Sequence, residues 1–243
     1  MSTRVLGSRT IGPIAVLTVV LAACSPGSAT TTGASQTMPV PTPSATPSPV
    51  QTAQPSPSLA FLPEGAVVRR GTYATRLEPG LTLTLDRPAE SNVDIPGWFD
   101  LVFEGDTNFE FGATRIDKVF DPKHQNDLLD PPDDLAAWIA KLPGLTVVAP
   151  GKAVQIGGLH ATQLDVRTGD KDVRIAPIPG VDDPPAGLAP NSVSRLIIVV
   201  VDGHQVVFGM GVQEEGVTQA VIDAHFEDSM EALQPVIDSI VWL

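Results

Sequence analysis

Residues of the types that do chemistry are sparse in this chain. Cys24 is its one cysteine, and it closes the apolar run "VVLAAC" just ahead of a Pro/Ser/Thr-rich stretch. A thiol there can accept an acyl group, and the two alanines before it leave the backbone open to a cleaving protease. Four histidines, His124, His160, His204 and His225, are available for proton transfer or metal ligation. His124 follows Asp121 in "DPKH" and His225 precedes Glu227 and Asp228 in "HFED", and neither matches His-Glu-x-x-His or a Cys/His zinc pattern. His160 and His204 fall near strand ends, where they could meet across a sheet. Acids cluster at Asp130, Asp133 and Asp134, at Asp170 and Asp172, and at Asp182 and Asp183. Two such loops could converge on a hard cation, which takes about six to eight oxygen ligands. The EF-hand pattern is missing, however, and helix capping accounts for the first cluster and solvated turns for the others. Paired carboxylates for glycoside chemistry stay open, because any acidic domain offers candidates.

The motifs of common catalysts are missing. There is no Gly-x-Ser-x-Gly elbow and no Gly-Lys-Ser/Thr phosphate loop. "GMG" at Gly209 to Gly211 lies in a strand rather than ahead of a helix, and reads as close strand packing or a bulge. No catalytic, cofactor-binding or metal-ligating residue is assigned, and no cofactor is implied. Trp98 begins a strand after Pro96-Gly97 and could rim a pocket, whereas Trp138 lies on an apolar helix stripe and reads as core. The Pro-rich loop from Ala176 to Ser192 is long for a compact domain, and loops of that length are either functional or simple insertions.

These residues need elements to position them, and the periodicities supply such elements. Tyr73 to Leu77 reads as a strand and Glu78-Pro79-Gly80 as a turn. Leu81, Leu83 and Leu85 then alternate with threonines, the period of a half-buried strand. "WFDLVF", "NFEFGAT" and "RIDKVF" continue the β pattern. "DPPDDLAAWIAKLPG" predicts a helix with Asp130 as N-cap and Leu135, Trp138, Ile139 and Leu142 on one stripe. "LTVVA" and "KAVQIGGLHATQLDVRT" predict further strands around a Gly157-Gly158 turn. In "SRLIIVVVDGHQVVFGMGV", two β-branched runs flank Asp202-Gly203, a type I′ hairpin turn. The first run is apolar on both faces and predicts a doubly covered central strand. The last stretch predicts a helix with Val217, Val221, Ala224, Met230 and Leu233 near one side and a kink or restart at Pro235. "SIVWL" then closes as an edge strand. Together these give an α+β domain, an antiparallel sheet flanked by helices.

The start of the chain sets its address. Arg4 and Arg9 precede an apolar run from Ile11 to Leu21. That run suits a secretory leader and is too short to span a bilayer. Leu21-Ala22-Ala23-Cys24 resembles the bacterial lipobox, which implies cleavage before Cys24 and diacylation of its sulfur. Two or more acyl chains anchor stably where one does not. From Ser25 to Ala60 there is no Lys, Arg, Asp or Glu. Such a stretch buries too little to offset the entropy of ordering, and its prolines stiffen it. The expected organisation is therefore a leader over 1–23, a tether over 24–60 and one domain over 61–243. With two of the 15 basic residues in the leader, 13 face 28 acidic residues, a net charge of −15. That argues against nucleic acid as a partner.

"GTY", "EPGLTLTL", the "GW" strand start, "PPDDLAAWIAKLPGL", "VQIGGLHATQLDV", the late hairpin and "VIDSIVW" together resemble bacterial envelope lipoproteins. They resemble, more distantly, the LpqN-type actinobacterial lipoproteins and the PsbP-like α/β/α sandwich. The resemblance implies a binding or assembly module and transfers no functional residue. The expected function is a cell-membrane-anchored, extracytoplasmic lipoprotein that binds a protein, glycan or lipid ligand without catalysis. One rival is an envelope hydrolase using carboxylates or a divalent cation, which needs the histidines or Asp loops to share a pocket. The other is a structural interaction domain, which predicts no concave site of a few hundred Å³.

Overall fold

A computed structural model describes residues 58–103, 109–124, 126–181, 185–214 and 216–243. Cys24, the leader, the tether as far as residue 57, Asp182 and Asp183 lie outside the described residues. In chain order the elements are β1 (Ala66–Val68), β2 (Gly71–Ala74), β3 (Leu81–Leu85), β4 (Ala89–Ile95), β5 (Trp98–Phe103), β6 (Phe109–Ile116), β7 (Val119–Phe120) and β8 (Leu128–Leu129). Helix α1 (Leu135–Ile139) follows, then β9 (Leu145–Ile156), β10 (Leu159–Thr168), β11 (Val173–Ala176), β12 (Ala186–Leu188), β13 (Ser192–Val201) and β14 (His204–Gln213). Helix α2 (Gln219–Asp238) and β15 (Val241–Trp242) close the chain.

The hairpin of β13 and β14 is the centre of an eight-stranded sheet in the order β1-β4-β5-β6-β14-β13-β10-β9. Every neighbouring pair is antiparallel. Asp202 at φ 49° and Gly203 at φ 86° supply the two left-handed residues that a type I′ turn needs. Strand β13 lies between β14 and β10 and is buried along most of both faces, as its unbroken apolar run predicts.

One face of this sheet collects Phe99, Leu101, Phe111, Phe208 and Met210, each no more than 1% exposed. Helix α2 and a three-stranded sheet of order β15-β3-β2 cover it. The buried stripe of α2 is Ile222, Phe226, Met230, Leu233 and Ile237. The expected stripe was correct at Met230 and Leu233 only, since Val217 and Val221 are 41% and 36% exposed. The helix also runs through Pro235 instead of restarting there. One turn remains beyond the proline, and Val236 and Ile237 hold that turn on the core, which limits what the lost N–H costs.

Helix α1 begins later than expected. Its N-cap is Asp134, whose carboxylate accepts the Ala137 N–H at 2.9 Å, while Asp130 pairs with Lys118 at 2.6 Å. Residues before prolines are pushed out of the helical region, so Pro131 and Pro132 hold Asp130 extended and pass the cap to a later aspartate. Leu135, Ile139 and Leu142 are buried and Trp138 packs beside them.

"LTVVA" and "KAVQI" form one strand, β9, rather than two. Its register against β10 shifts twice, between Gln163 and Asp165 and between Asp165 and Val166. Each shift places one extra residue on β9, the first at Pro150-Gly151 and the second at Val148. At the hairpin that follows, Gly157 has φ 57°, and a Cβ there would lie 2.4 Å from the Trp242 ring, so the closing strand β15 packs straight onto the turn. Among the described residues no helix is long and apolar enough to cross a membrane.

Candidate functional site

The sheet face opposite α2 is built differently in its two halves. Over β10 and β13 it carries Leu164, Val166, Leu196 and Ile198, which pack against Leu135 and Ile139 of α1 and against Ile175. In the middle of β6 and β14 glycines interrupt this face. Gly112 pairs in register with Gly209, Gly209 with Leu196, and Gly211 with Ser194. Alternation fixes this, since the glycines are flanked by the buried residues Phe111 and Ala113, Phe208 and Met210, and Val212, which point to the α2 side. Gly112, Gly209 and Gly211, with the small Ser194 beside them, leave a hollow of about 570 Å³.

The glycines are not equivalent. A Cβ on Gly112 would fall 2.8 Å from the Phe99 carbonyl oxygen, and one on Gly211 would fall 2.7 Å from Ser194 Oγ. At Gly209 the nearest atom is Leu196 Cδ2 at 3.8 Å. Close strand packing therefore describes Gly112 and Gly211, while Gly209 opens into space. There is no bulge in the pairing of β14 with either neighbour.

The long Pro-rich loop roofs the hollow. Part of it is a strand, β12, which pairs with β11. Ile175, Ile178 and Leu188 line the cavity from this side and are 4%, 4% and 9% exposed. At one end the segment seats Pro179 against Gly97, where a Cβ would lie 2.8 Å from Pro179 Cγ. At the other end the Ala189 carbonyl accepts from the hydroxyls of Thr168, at 2.6 Å, and Ser192, at 2.7 Å. The guanidinium of Arg174 lies 4.0 Å over the Phe120 ring, tying β11 to β7.

The β5 and β6 side of the cavity carries its two carboxylates. Trp98, Asp100 and Val102 alternate onto this face of β5, and Glu110 stands on β6 opposite Val102. Loss of water, and then the neighbouring Asp100 charge, raise the Glu110 carboxyl above its ordinary pKa. A raised carboxyl pKa means that the ionised form is disfavoured in the folded domain. This cost is absent below the ordinary carboxylate range and grows as pH climbs through the raised value. The described residues that line the cavity include two carboxylates and no Lys, Arg or His.

The expected site residues are distributed otherwise. His124 sits 3.5 Å from Asp121, His204 3.8 Å from Asp117, and His225 2.5 Å from Glu214. His160 and His204 lie on β10 and β14 with β13 between them, so they do not meet. Asp133, Asp170 and Asp172 are exposed and Asp134 is a helix cap. Among the described residues no three His, Cys, Asp or Glu side chains converge as metal ligands. Trp98 and the 176–192 loop do come together. Asp100 and Glu110 were missed, although Asp100 alternates with buried Phe99 and Leu101 and Glu110 with buried Phe109 and Phe111, so both face away from that core.

No family model matches the chain, and comparison with curated proteins finds no match. Two solved structures share parts of its layout. One is the crystal structure of PA94, a protein of unknown function from Pseudomonas aeruginosa, 13% identical, covering 69% of this chain and 95% of its own, with a TM-score of 0.34. The other is the solution structure of cyanobacterial PsbP (CyanoP) from Synechocystis sp. PCC 6803, 13% identical, covering 78% of this chain and all of its own, with a TM-score of 0.33. At these scores neither likeness identifies a family or a function. The molecule's own geometry defines it as an antiparallel α+β domain with a roofed cavity on one face of its sheet.

Proposed function

We propose that this chain is a lipid-anchored, extracytoplasmic binding protein that takes a small ligand into the roofed cavity and does no chemistry on it. The single observation that carries the binding reading is the hollow of about 570 Å³ between a glycine floor and an apolar roof. Ligand sites typically run from about 300 to 1,000 Å³ and are mostly apolar with a few polar groups. A structural domain without a ligand has no use for such a hollow. The fold reading that goes with it is a PsbP-like α/β/α sandwich, with α2 on one face of the sheet and α1 on the other. The anchor reading rests on Leu21-Ala22-Ala23-Cys24 and on the uncharged tether behind it.

One observation favours the hydrolase alternative. Asp100 and Glu110 share the cavity, and the Glu110 carboxyl is raised, as a general acid requires. Yet both carboxylates rise from adjacent strands on one floor. Glycoside hydrolysis places its pair on either side of the scissile bond. Binding is therefore the better reading.

Two measurements test it. Expressed in a bacterium, the mature chain should begin at Cys24 with fatty acyl chains on its sulfur, and Cys24→Ser should move it from the membrane to the soluble fraction. A free thiol in the mature chain would remove the anchor. For the cavity, the neutral dye N-phenyl-1-naphthylamine should bind the full chain saturably. Gly209→Leu, which projects a side chain into the hollow without strain at the backbone, should weaken that binding at least about tenfold, roughly 1.4 kcal/mol, while Gly209→Ala retains it. Equal binding by the leucine variant and the unaltered chain would show that the dye sits elsewhere.

A further inference from the structure

The cavity's chemistry narrows what it holds. Its titratable groups among the described lining residues are Asp100 and Glu110, both acids. Asp100 is engaged within the protein, so what matters is the charge the two share rather than any vacant bonding position. An anionic ligand would bring further negative charge beside two acids, where opposite charge is rewarded and like charge penalised. Trp98 stands on the same face of β5, two residues from Asp100, so an indole ring and a carboxylate border the same corner. Trp is the aromatic residue that attracts cations most strongly. Val102, Ile175, Ile178 and Leu188 offer apolar surface, and Thr114, Ser192, Ser194 and Gln213 add neutral polar groups.

We infer that the cavity is built for an organic cation, an amine or quaternary ammonium head seated among Trp98, Asp100 and Glu110 with an apolar body under Ile175, Ile178 and Leu188. This inference rests on the binding reading above and deepens it. A compact inorganic cation fits the site poorly, because it needs more oxygen ligands than two carboxylates give. An alkylammonium needs charge, a ring face and apolar walls, and each is present. Glu110 is exposed at the mouth. That places the head near water and the body inside.

The test uses the full chain and three probes with the same tail: n-octyltrimethylammonium, n-octanol and n-octanoate, each displacing N-phenyl-1-naphthylamine. The ammonium should bind at least about tenfold tighter than the alcohol, the scale of a desolvated cation–π contact plus charge pairing, and the carboxylate should bind weakest. Asp100→Asn with Glu110→Gln should bring the ammonium down to the level of the alcohol and leave the alcohol unchanged. Each single variant should give part of that loss, so the test survives if the double variant folds poorly. An ammonium no tighter than the alcohol, or a preference that outlasts both substitutions, overturns the inference while dye binding keeps the cavity reading standing. A dye that fails to bind the unaltered chain overturns both.

Discussion

Replacing Phe208 by alanine is expected to cost about 3–5 kcal/mol of folding stability, read as a lower urea midpoint with an unchanged slope. Phe208 has no exposed surface and stands on β14, in the middle of the large sheet. Its ring meets Phe111 stacked at 6.2 Å, Phe99 edge-on at 6.5 Å and Trp242 edge-on at 6.3 Å. The phenyl group therefore joins three strands of one sheet to the closing strand of the other. A truncated side chain leaves a cavity that strands fixed by their register cannot collapse to fill. Phe208→Leu keeps most of the volume and should cost well under half as much. A loss below about 1 kcal/mol for the alanine variant would mean that the aromatic cluster is not the centre of the core.

The second large effect concerns a charge pair under α2. Arg195 donates from Nε to Asp165 Oδ1 at 2.8 Å and from Nη2 to Oδ2 at 2.7 Å. The two are register partners on β13 and β10, and their side chains are 17% and 8% exposed. The guanidinium also lies 5.7 Å over the Phe226 ring of α2. The Asp165 hydrogen bonds hold Arg195 above its ordinary pKa, so it stays charged throughout. Arg195→Met keeps the packing under Phe226 but leaves Asp165 with Gln163, at 3.3 Å, as its one remaining side-chain donor. Removing one partner of a buried pair costs about 3–5 kcal/mol, whereas replacing both by apolar residues is often neutral. The double variant Asp165→Leu, Arg195→Met should recover most of what the single variant loses, and thermal melts of the two side by side check this. A double variant no better than the single would show that the pair is worth more than its desolvation.

What could be read in the residues was local. Asp202-Gly203 names its own turn, because few residues accept two successive left-handed conformations, and the unbroken apolar run before it could only be covered on both sides. Helix α1 was placed by its stripe, but its start was assigned to the wrong aspartate, since three capping candidates stand close together and the prolines decide between them. The stripe of α2 was drawn through valines that the tertiary structure leaves in water, because a helix with apolar residues on several sides does not announce which side docks. The cavity was illegible for a deeper reason. Gly112 and Gly209 lie far apart in the chain, and only the β6–β14 register makes them neighbours. Trp98 and the Pro-rich loop each stood out alone, but their meeting depends on how β11 and β12 fold back over the sheet.

The doubled register shift along β9 bears on the company this protein keeps. Strand β9 is twelve residues long and, among the described residues, forms the outer margin of the sheet with no strand beyond it. A straight margin of that length invites fibrils. Here Pro150 offers no N–H, Lys152 adds charge, and the two inserted residues twist the line out of step. Two such margins lack the matched straight register needed to zip together along their length, which keeps this edge from templating a second one.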